Sequence, residues 1–504
     1  MNSLTHLIHR VFAVELIFVL IAFACLILQP AQAQDLSSTA CFDLSGEIYG
    51  EVRVSESQWL EIGGKSACVV SGFRAPYLDL EVVLPSDWSG RYIQKGGGGF
   101  DGFIPSALER NSKGEVVGFT DGVARFNSVH AASNGGNRAG VDGESAPGVW
   151  FSGSTDAQQS LMDYSYFALK TTLDFAHALT VNVYGRLPDY GYFSGCSNGG
   201  RNAYIAAQRW PESFDGVVSG CEPMNMPGTT TAWLSLAGVQ GTPAELTSAE
   251  YTFAYHAAIS SCDAMDGKVD GVIGNPSACQ FSPRELLCEA GESNCLSADQ
   301  ASTLEMLLTD ITDTQGNTLS SRFFWADFGN YASYFGDLGS VYGWIATGDT
   351  AWLETEKQLQ FNVDEHYYEI ANGLFRSGIG HDRLAVAEFV ASGKKLISWH
   401  DGSDNLLSPG DHARIFSELT HAAEIVAQDA DFDVSDNARF FIVPGTGHSG
   451  GMRTVNWIEA IIDWTENGKA PESLMHTRSD GSLIPVCRFP AYPLGIDGGY
   501  ICSE

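Results

Sequence analysis

Residues 195–199 read GCSNG, a segment in which one serine stands between two glycines. The segment follows a predicted strand at residues 190–194 and precedes a predicted helix at residues 201–210. In that setting the glycines permit a sharp, strained turn that exposes the serine hydroxyl at the end of the strand. A serine hydroxyl is a weak nucleophile until a neighbouring base accepts its proton. The segment therefore predicts Ser197 as a nucleophile that needs a base from elsewhere in the chain.

A second serine, Ser449, lies in a similar segment, GHSGG, at residues 447–451. Hydrolases that use this turn in an α/β sheet carry the serine first, then the acid and then the histidine along the chain. After Ser449 only His476 remains, with few residues left to form further strands. Ser197 is followed by an acid and a histidine at predicted strand ends, so chain order favours Ser197.

His448 and Asp404 are the predicted partners of Ser197. His448 follows a predicted strand at residues 440–443, in a glycine-rich turn that lets its ring act as the base. Asp404 follows a predicted strand at residues 395–399 and would hold the imidazole tautomer and stabilise the imidazolium. Asp401, three residues earlier, is an alternative acid that the sequence leaves open.

An oxyanion hole needs two backbone N–H groups near the nucleophile. The residue after the nucleophile supplies one of them in this kind of turn, which predicts Asn198. The second donor comes from the loop after an early strand, where this chain has four consecutive glycines at residues 96–99. We predict Gly98 as that donor, with Gly97 and Gly99 as open alternatives.

A different segment, residues 262–272, carries three carboxylates and two glycines within a short loop. Hard cations such as Ca²⁺ prefer several oxygen ligands that mix carboxylates with backbone carbonyls. The predicted calcium ligands are the carboxylates of Asp263, Asp266 and Asp270 and the carbonyls of Lys268 and Val272. A solvated acidic turn is the alternative that the spacing alone leaves open.

The N-terminus has the features of a secretory signal peptide. Arg10 precedes an apolar run at residues 16–28, and the small-residue sequence AQA follows at residues 31–33. The run is short of the ~20 residues that a membrane span requires. We therefore predict a signal peptide at residues 1–33. Its removal takes away Cys25 and leaves ten cysteines, an even number, in a chain bound for an oxidising compartment.

Strands and helices are predicted to alternate around the candidate residues, which favours a parallel sheet flanked by helices. Residues 34–227 and 386–504 show this alternation. Residues 228–385, rich in cysteine, aspartate and aromatic residues, do not. The pattern predicts one α/β fold that is interrupted by a large insertion.

Composition excludes several classes of protein. The chain has 504 residues, of which 44% are hydrophobic and 18% charged, so it is not mainly disordered. It carries 61 acidic against 28 basic residues, for a net charge of −33. Such a charge repels phosphate backbones, so no nucleic-acid partner is expected.

Two segments, YFSGCSNGGR at residues 192–201 and AQRWPESFDG at residues 207–216, closely resemble the tannase and feruloyl esterase family. The match runs over most of the chain after the signal peptide. The loop that carries Asp263, Asp266 and Asp270 is similar to the calcium site in the lid of that family. The resemblance implies an α/β-hydrolase core, a large inserted lid domain over the active site, and a structural calcium ion in the lid.

The resemblance further implies a secreted or periplasmic serine carboxylic ester hydrolase that acts on small esters of aromatic acids of the feruloyl, galloyl or terephthaloyl type. No stable membrane association is expected after signal cleavage. Trp325, Trp344 and Trp352 are candidates to stack on the aromatic ring, although large aromatic residues more often form a core. Arg376 is a candidate to bind a substrate carboxylate. The alternatives are a calcium-binding protein with an inactive hydrolase fold, and a lipase or protease with the same triad.

The family also implies disulfide pairs, which in this chain are Cys41–Cys68, Cys262–Cys279, Cys288–Cys295 and Cys487–Cys502. Family members usually bond the cysteine before the nucleophile to a cysteine after the catalytic histidine. Here Ser449 follows His448, so Cys196 lacks that partner. Cys221 follows a predicted strand that should lie beside the strand ending at Cys196. We therefore predict a Cys196–Cys221 disulfide next to the nucleophile.

Overall fold

The computed structural model of the chain describes residues 36–138, 150–292 and 294–504. The predicted signal peptide at residues 1–33, with Cys25, lies outside the described residues. Among the helices that are described, none is long and apolar enough to cross a membrane.

The strands of the described residues are short in most cases and longest near the N-terminus. They are β1 (Ile48–Tyr49), β2 (Val52–Ile62), β3 (Lys65–Arg74), β4 (Leu78–Pro85), β5 (Arg91–Lys95), β6 (Leu108–Arg110), β7 (Val116–Phe119), β8 (Val129–Ser133), β9 (Tyr190–Cys196), β10 (Gly216–Gly220), β11 (Ile311–Thr312), β12 (Thr318–Ser320), β13 (Lys395–Asp401), β14 (Ala438–Val443), β15 (Ser473–Thr477), β16 (Leu483–Cys487), β17 (Tyr492–Ile496) and β18 (Gly499–Ser503). One ten-stranded sheet has the order β1-β2-β3-β4-β8-β5-β9-β10-β13-β14.

The ten-stranded sheet is antiparallel at one end and parallel at the other. β1 to β4 and β8 pair antiparallel, whereas β8, β5, β9, β10, β13 and β14 pair parallel in that order. Parallel strands deliver the residues that follow them to one edge, where α/β sheets place their sites. Ser197 follows β9, Asp404 follows β13 and His448 follows β14, so the fold brings the three predicted residues to that edge.

The α-helices lie between the strands and in the long segment that separates β10 from β13. They are α1 (Ser38–Phe42), α2 (Asp121–Ala124), α3 (Thr155–Met162), α4 (Ala168–Tyr184), α5 (Asn198–Arg209), α6 (Met226–Ala237), α7 (Ser248–Cys262), α8 (Ala298–Leu308), α9 (Phe335–Thr347), α10 (Thr355–Leu359), α11 (Val363–Ser377), α12 (Arg383–Ala391), α13 (Pro409–Ala427), α14 (Gly451–Thr454) and α15 (Trp457–Asn467). A π-helical turn, Asp163–Phe167, joins α3 to α4.

The described residues between β10 and β13 add no strand to the ten-stranded sheet, and their ladder is the small pair β11–β12. Their helices pack a hydrophobic core that includes Trp233, Phe328 and Trp352. Trp150 and Tyr164, from the earlier part of the chain, join the same core. The inserted segment is therefore packed onto the sheet domain through shared aromatic residues.

Two predicted domain limits fall inside helices of the structure. Position 228 lies in α6 and position 385 lies in α12. Helix α6 begins earlier because the side chain of Asn225 accepts a hydrogen bond from the N–H of Gly228 and caps the helix. A limit drawn from composition does not detect such a cap.

Candidate active site

Ser197 connects β9 to α5 with φ 60° and ψ −126°, a region that residues other than glycine rarely occupy. A Cβ on Gly195 would collide with the carbonyl group of Gly199, and a Cβ on Gly199 would lie 2.5 Å from the carbonyl oxygen of Gly97. The glycines therefore allow strand, helix and glycine loop to approach closely. Ser197 is partly exposed between buried neighbours, as a nucleophile must be.

Asp404 is a fully buried carboxylate whose oxygens are both hydrogen-bonded. Its Oδ2 accepts a hydrogen bond from His448 Nδ1 at 2.8 Å. Its Oδ1 accepts from the backbone N–H groups of Leu406 at 2.8 Å and Leu407 at 2.9 Å. These contacts fix the ring of His448 in the tautomer that keeps Nε2 free to accept a proton.

The two partners shift each other's titration in opposite directions. Burial favours the neutral form of Asp404, but the charge and hydrogen bond of His448, together with His400, hold its pKa below the ordinary value. Burial also works against a charged His448, yet the carboxylate of Asp404 outweighs it and raises the pKa of His448 above its ordinary value. A histidine so placed is a stronger base than a free one.

Asp401, the alternative acid, points elsewhere. Its Oδ1 accepts a hydrogen bond from the N–H of Gly451 at 2.7 Å, at the start of α14. Burial and the negative charge of Asp404 raise the pKa of Asp401 to about 6. The structure therefore brings Asp404, and not Asp401, to His448.

A buried chain of hydrogen bonds runs behind Asp404. His400 Nε2 lies 3.2 Å from Asp404 Oδ2, and His400 Nδ1 lies 2.8 Å from His412 Nδ1. His412 Nε2 lies 2.8 Å from Ser398 Oγ, and Ser398 Oγ lies 2.9 Å from Tyr204 Oη. All five side chains are buried, so their hydrogen bonds have little competition from water.

The acceptors around His400 set the direction of these hydrogen bonds. His400 Nε2 also lies 3.3 Å from the carbonyl oxygen of Leu407, so it faces two acceptors and must carry the proton. With both rings neutral, His400 Nδ1 accepts from His412 Nδ1–H, and His412 Nε2 accepts from the hydroxyl of Ser398. Burial, followed by the neighbouring His400, keeps the pKa of His412 well below its ordinary value, in agreement with a neutral ring. Each donor therefore points toward the acid of the predicted triad.

Cys196 and Cys221 form a disulfide with a Cα–Cα distance of 5.3 Å. Gly220 pairs with Cys196 in the parallel register of β9 and β10, so Cys221 stands one residue beyond it at the same edge. The hydroxyl of Ser449 lies 3.3 Å from Cys196 Sγ and 3.8 Å from Cys221 Sγ. Ser449 thus packs on the disulfide, and His448 beside it is held next to the turn at Ser197.

The other disulfides of the structure have the pairings that the family resemblance implied. They are Cys41–Cys68, Cys262–Cys279, Cys288–Cys295 and Cys487–Cys502. All ten cysteines after residue 33 are therefore in disulfides.

The glycine loop follows β5 and lies against the start of α5. The carbonyl oxygen of Gly98 accepts from the N–H of Asp101 at 2.8 Å, and that of Gly99 accepts from the hydroxyl of Tyr164 at 3.1 Å. Asn198 is the first residue of α5, where backbone N–H groups have no partner within the helix. The loop and the helix start therefore meet beside Ser197, and Gly98 and Asn198 stay the predicted pair of donors.

The inserted segment covers the site from one side. The ring of Tyr331 meets His448 edge to face, with centroids 6.1 Å apart. Trp233 Nε1 donates to the carbonyl oxygen of Leu406 at 3.0 Å, and Asn405 Nδ2 donates to that of Asp327 at 2.7 Å. The loop that carries Asp404 is therefore held by the inserted segment as well as by the sheet.

Three tryptophans and one arginine were candidates for substrate contacts. Trp325 and Trp352 are buried in the core of the inserted segment, and Trp344 packs edge to face on Phe151. Arg376 is exposed in the last turn of α11. The burial of Trp325 and Trp352 indicates a structural role in that core.

The acidic loop is closed by its own hydrogen bonds. Asp263 accepts from the N–H groups of Asp270 and Gly271, and Asp266 accepts from those of Lys268 and Gly274.

Asp270 has partners outside the loop as well. Its Oδ1 accepts from the N–H of Val272 at 3.2 Å. Its Oδ2 accepts from Arg478 Nη1 at 3.0 Å and from the hydroxyl of Tyr500. The ring of Tyr500 also receives Lys268, whose Nζ lies 3.8 Å from the ring centroid. Residues near the C-terminus therefore hold the third carboxylate of the loop.

The donor set suits a hard cation, but the arrangement of the carboxylates does not form a closed ligand shell. Among the described residues, three acidic, histidine or cysteine side chains bring potential ligand atoms within 4.8 Å of one another at Cys221, Asp404 and His448. The three aspartates of the loop do not meet that distance. Cys221 is in a disulfide, so the cluster that does meet it is the acid–base pair and not a metal centre.

Sequence reasoning missed three side chains of the site. His400 has a signal, because it lies near the end of β13, four residues before Asp404 in the loop that follows. Arg201 donates a hydrogen bond from Nε to Asn198 Oδ1 at 2.7 Å; it lies in the segment that carries the family resemblance, but nothing there assigns it a role. Tyr331 has no local signal, since its place beside His448 depends on how the inserted segment folds back.

The chain is similar to proteins of known family over most of its length. Residues 62–363 and 374–502 match the family described as tannase and feruloyl esterase. Feruloyl esterase B of Aspergillus niger is 26% identical over 451 residues, which are 82% of this chain and 80% of that protein. Mono(2-hydroxyethyl) terephthalate hydrolase of Piscinibacter sakaiensis is 26% identical over 484 residues, 81% of this chain and 77% of that protein.

Solved structures show the same fold. The crystal structure of feruloyl esterase B from Aspergillus oryzae superposes with a TM-score of 0.76 at 21% identity and covers 92% of this chain and all (100%) of that one. Tannin acyl hydrolase from Aspergillus niger gives a TM-score of 0.70 at 20% identity, with 94% and 96% covered. The α/β-hydrolase fold expected from the sequence is therefore confirmed.

Replacing Cys196 and Cys221 together by alanine is expected to lower the free energy of unfolding by about 3 to 4 kcal/mol, because this bridge closes a loop with a sequence separation of 25. Denaturant unfolding measures the loss. The matched control is Cys288→Ala with Cys295→Ala, whose separation is 7 and whose loss should be smaller. Finding both Cys196 and Cys221 as free thiols in peptides of the unreduced protein would contradict the bridge.

Proposed function

The chain belongs to the tannase and feruloyl esterase family and is a carboxylic ester hydrolase, and we propose that Ser197 is its nucleophile. His448 is the general base in this proposal, and Asp404 orients it. The observation that carries the proposal is the 2.8 Å hydrogen bond between His448 and Asp404 at the sheet edge where Ser197 follows β9.

The reaction proposed is acyl transfer in two steps. Ser197 Oγ attacks the ester carbonyl carbon while His448 Nε2 accepts the hydroxyl proton. The C–O bond to the alcohol breaks as His448 returns that proton to the leaving oxygen. A water molecule then attacks the acyl-enzyme with His448 again as the base, and the acid leaves as Ser197 regains its proton.

The tetrahedral intermediate of each step carries a negative oxygen. In the proposal the backbone N–H groups of Gly98 and Asn198 stabilise it, and each such donor is typically worth ~3 kcal/mol of transition-state stabilisation. Support comes from the close approach of the glycine loop to the start of α5.

The proposed substrates are esters of aromatic acids of the feruloyl, galloyl or terephthaloyl type. Support comes from the names of the relatives, which include feruloyl esterases and a mono(2-hydroxyethyl) terephthalate hydrolase. Tyr331, partly exposed and beside His448, offers an aromatic face where an acyl ring could stack.

We also propose that the protein is secreted or periplasmic. The predicted signal peptide and the five disulfides support this, since disulfides persist in oxidising compartments. The partner proposed is a small-molecule ester, and the net charge of −33 speaks against a nucleic-acid partner.

Calcium binding by the acidic loop stays a proposal. Three carboxylates and the flanking carbonyl groups are the ligands that Ca²⁺ prefers. The Cys262–Cys279 disulfide brackets the loop and limits its movement. Arg478 and Tyr500 donate hydrogen bonds to Asp270 Oδ2 and would compete with the ion for that oxygen.

Ser197→Ala is expected to abolish hydrolysis of ferulate, gallate and terephthalate esters, because no other group supplies the nucleophile in the proposal. Ser449→Ala is the matched control and should keep substantial activity, since its hydroxyl packs on a disulfide. Covalent labelling by a fluorophosphonate should follow the same order. The opposite result for the two serines would overturn the assignment, and faster cleavage of a peptide or a long-chain ester than of the aryl esters would reject the substrate class.

Asp404→Asn is expected to lower kcat by on the order of 10⁴, because an amide in this position favours the wrong tautomer of His448. Asp401→Asn keeps an acceptor for the N–H of Gly451 and should change kcat little. A large loss with Asp401→Asn but not with Asp404→Asn would contradict the proposed triad.

In the unmodified enzyme kcat/KM should fall on acidification with a midpoint above 6.5, because His448 must be neutral to act as the base and its pKa is raised.

Addition of Ca²⁺ is expected to raise the temperature of thermal unfolding, because an ion present at about a hundred times its Kd adds about 3 kcal/mol to the free energy of unfolding. Asp263→Asn is expected to weaken this effect, while Mg²⁺, which demands a tighter octahedral site, should not reproduce it. An unfolding temperature that responds neither to Ca²⁺ nor to a chelator would reject calcium binding.

A further inference from the structure

Asp101 lies two residues beyond the glycine loop and is bonded to both sides of the predicted oxyanion hole. Its backbone N–H donates to the carbonyl oxygen of Gly98 at 2.8 Å. Its side-chain Oδ1 accepts a hydrogen bond from Asn198 Nδ2 at 2.8 Å. Its φ of 55° is unusual for a residue other than glycine, so the surrounding contacts hold it in place. One residue therefore connects the glycine loop to the residue after the nucleophile.

The side chain of Asn198 is itself held from the other side. Its Oδ1 accepts from Arg201 Nε at 2.7 Å, and Arg201 is fully buried. Arg201 Nη1 donates to the carbonyl oxygen of Ser165 at 2.9 Å, and Nη2 donates to that of Tyr164 at 2.7 Å. Both carbonyls belong to the π-helical turn, whose wider hydrogen-bond spacing changes the usual pairing within a helix. Asp101, Asn198 and Arg201 thus form a continuous line from the loop to the turn.

From these contacts we propose that Asp101 is a positioning residue for the oxyanion hole. It clamps the glycine loop to the start of α5, so that the N–H groups of Gly98 and Asn198 face the same point. This inference rests on the proposed function, because Asp101 can position an oxyanion hole only if Ser197 forms the tetrahedral intermediate beside Gly98 and Asn198.

The clamp is tight because it is formed against bare backbone. A Cβ on Gly97 would lie 2.8 Å from Asp101 Oδ1, and a Cβ on Gly135 would collide with the same carboxyl group. The carboxyl group therefore packs between the backbone at Gly97 and the backbone at Gly135. Neither residue has a side chain that could move aside. Movement of Asp101 would shift the loop itself, and misplacement by about 1 Å can cost an enzyme about 10²-fold in rate.

The charge of Asp101 is also suited to this place. Desolvation raises the pKa of its carboxyl to about 7, against the opposing effects of the Asn198 hydrogen bond and the charge of Arg201. The buried hydroxyls of Tyr164 and Tyr342 also interact electrostatically with this carboxyl group. A full negative charge here would oppose a developing oxyanion, so a neutral hydrogen-bond acceptor should serve as well as a carboxylate.

Asp101→Ala removes the acceptor and tests the inference. We expect kcat on an aryl ester to fall roughly 10- to 100-fold with KM nearly unchanged, because the loss concerns the transition state and not substrate binding. Asp101→Asn keeps an oxygen acceptor for Asn198 Nδ2 and should restore kcat to within a few-fold of the unmodified enzyme. Asp299→Ala, at an exposed position of α8, is the matched control and should leave both constants unchanged.

A second variant keeps the test decisive if Asp101→Ala does not fold. Asn198→Ala removes the other end of the same hydrogen bond but keeps its backbone N–H, and it should lower kcat by a similar factor. Where Asp101→Ala does fold, adding it to Asn198→Ala should lower kcat little further, because both changes remove the same hydrogen bond. Equal kcat in the folded Asp101→Ala, Asn198→Ala and unmodified enzymes would overturn the inference. Loss of kcat in Asp101→Asn as large as in Asp101→Ala would do the same.

Failure of the inference and failure of the proposed function give different results. If Ser197→Ala stays active, the proposed function fails, whatever the Asp101 variants do. If Ser197→Ala is inactive while Asp101→Ala equals the unmodified enzyme, the triad stands and only the clamp is rejected.

Discussion

A negative charge that is fully removed from water, the carboxylate of Asp404, is the constraint on which the rest of the site depends. Such a charge is costly to bury unless donors surround it. Here the donors are two backbone N–H groups, His448 and His400. They come from strand β13, from the loop that follows it and from the loop after β14. The requirement to satisfy one carboxylate thus fixes the ring of His448, the loop after β13 and the hydrogen-bonded histidines behind it.

The sheet domain and the inserted segment meet at aromatic hydroxyls as well as at hydrophobic surfaces. The hydroxyl of Tyr164 lies 2.8 Å from that of Tyr342 and donates to the carbonyl oxygen of Gly99. Tyr342 belongs to helix α9 of the inserted segment, whereas Gly99 ends the glycine loop. The position of helix α9 is therefore connected to the loop that is proposed to bind the oxyanion.

The sequence predicted the parts of the site that depend on chain order and strand ends. The turn at Ser197, the placing of Ser197, Asp404 and His448 at one sheet edge, and the neighbouring strands that bring Cys196 to Cys221 all follow from elements close in sequence or adjacent in the sheet. The hydrogen bonds from Arg478 to Asp270 did not follow, because their partners are 208 residues apart. The pairing of His400 with His412 depends on where α13 begins to pack under β13, and no local pattern reports that.

The disulfide beside Ser197 joins the neighbouring strands β9 and β10 and leaves the turn of His448 without a covalent tie. That turn is held by Asp404, by the N–H of Gly451 on Asp401 and by the hydroxyl of Ser449 on the two sulfur atoms. The position of His448 therefore depends on non-covalent contacts alone, and reduction of the Cys196–Cys221 bridge would sever no covalent link to its turn.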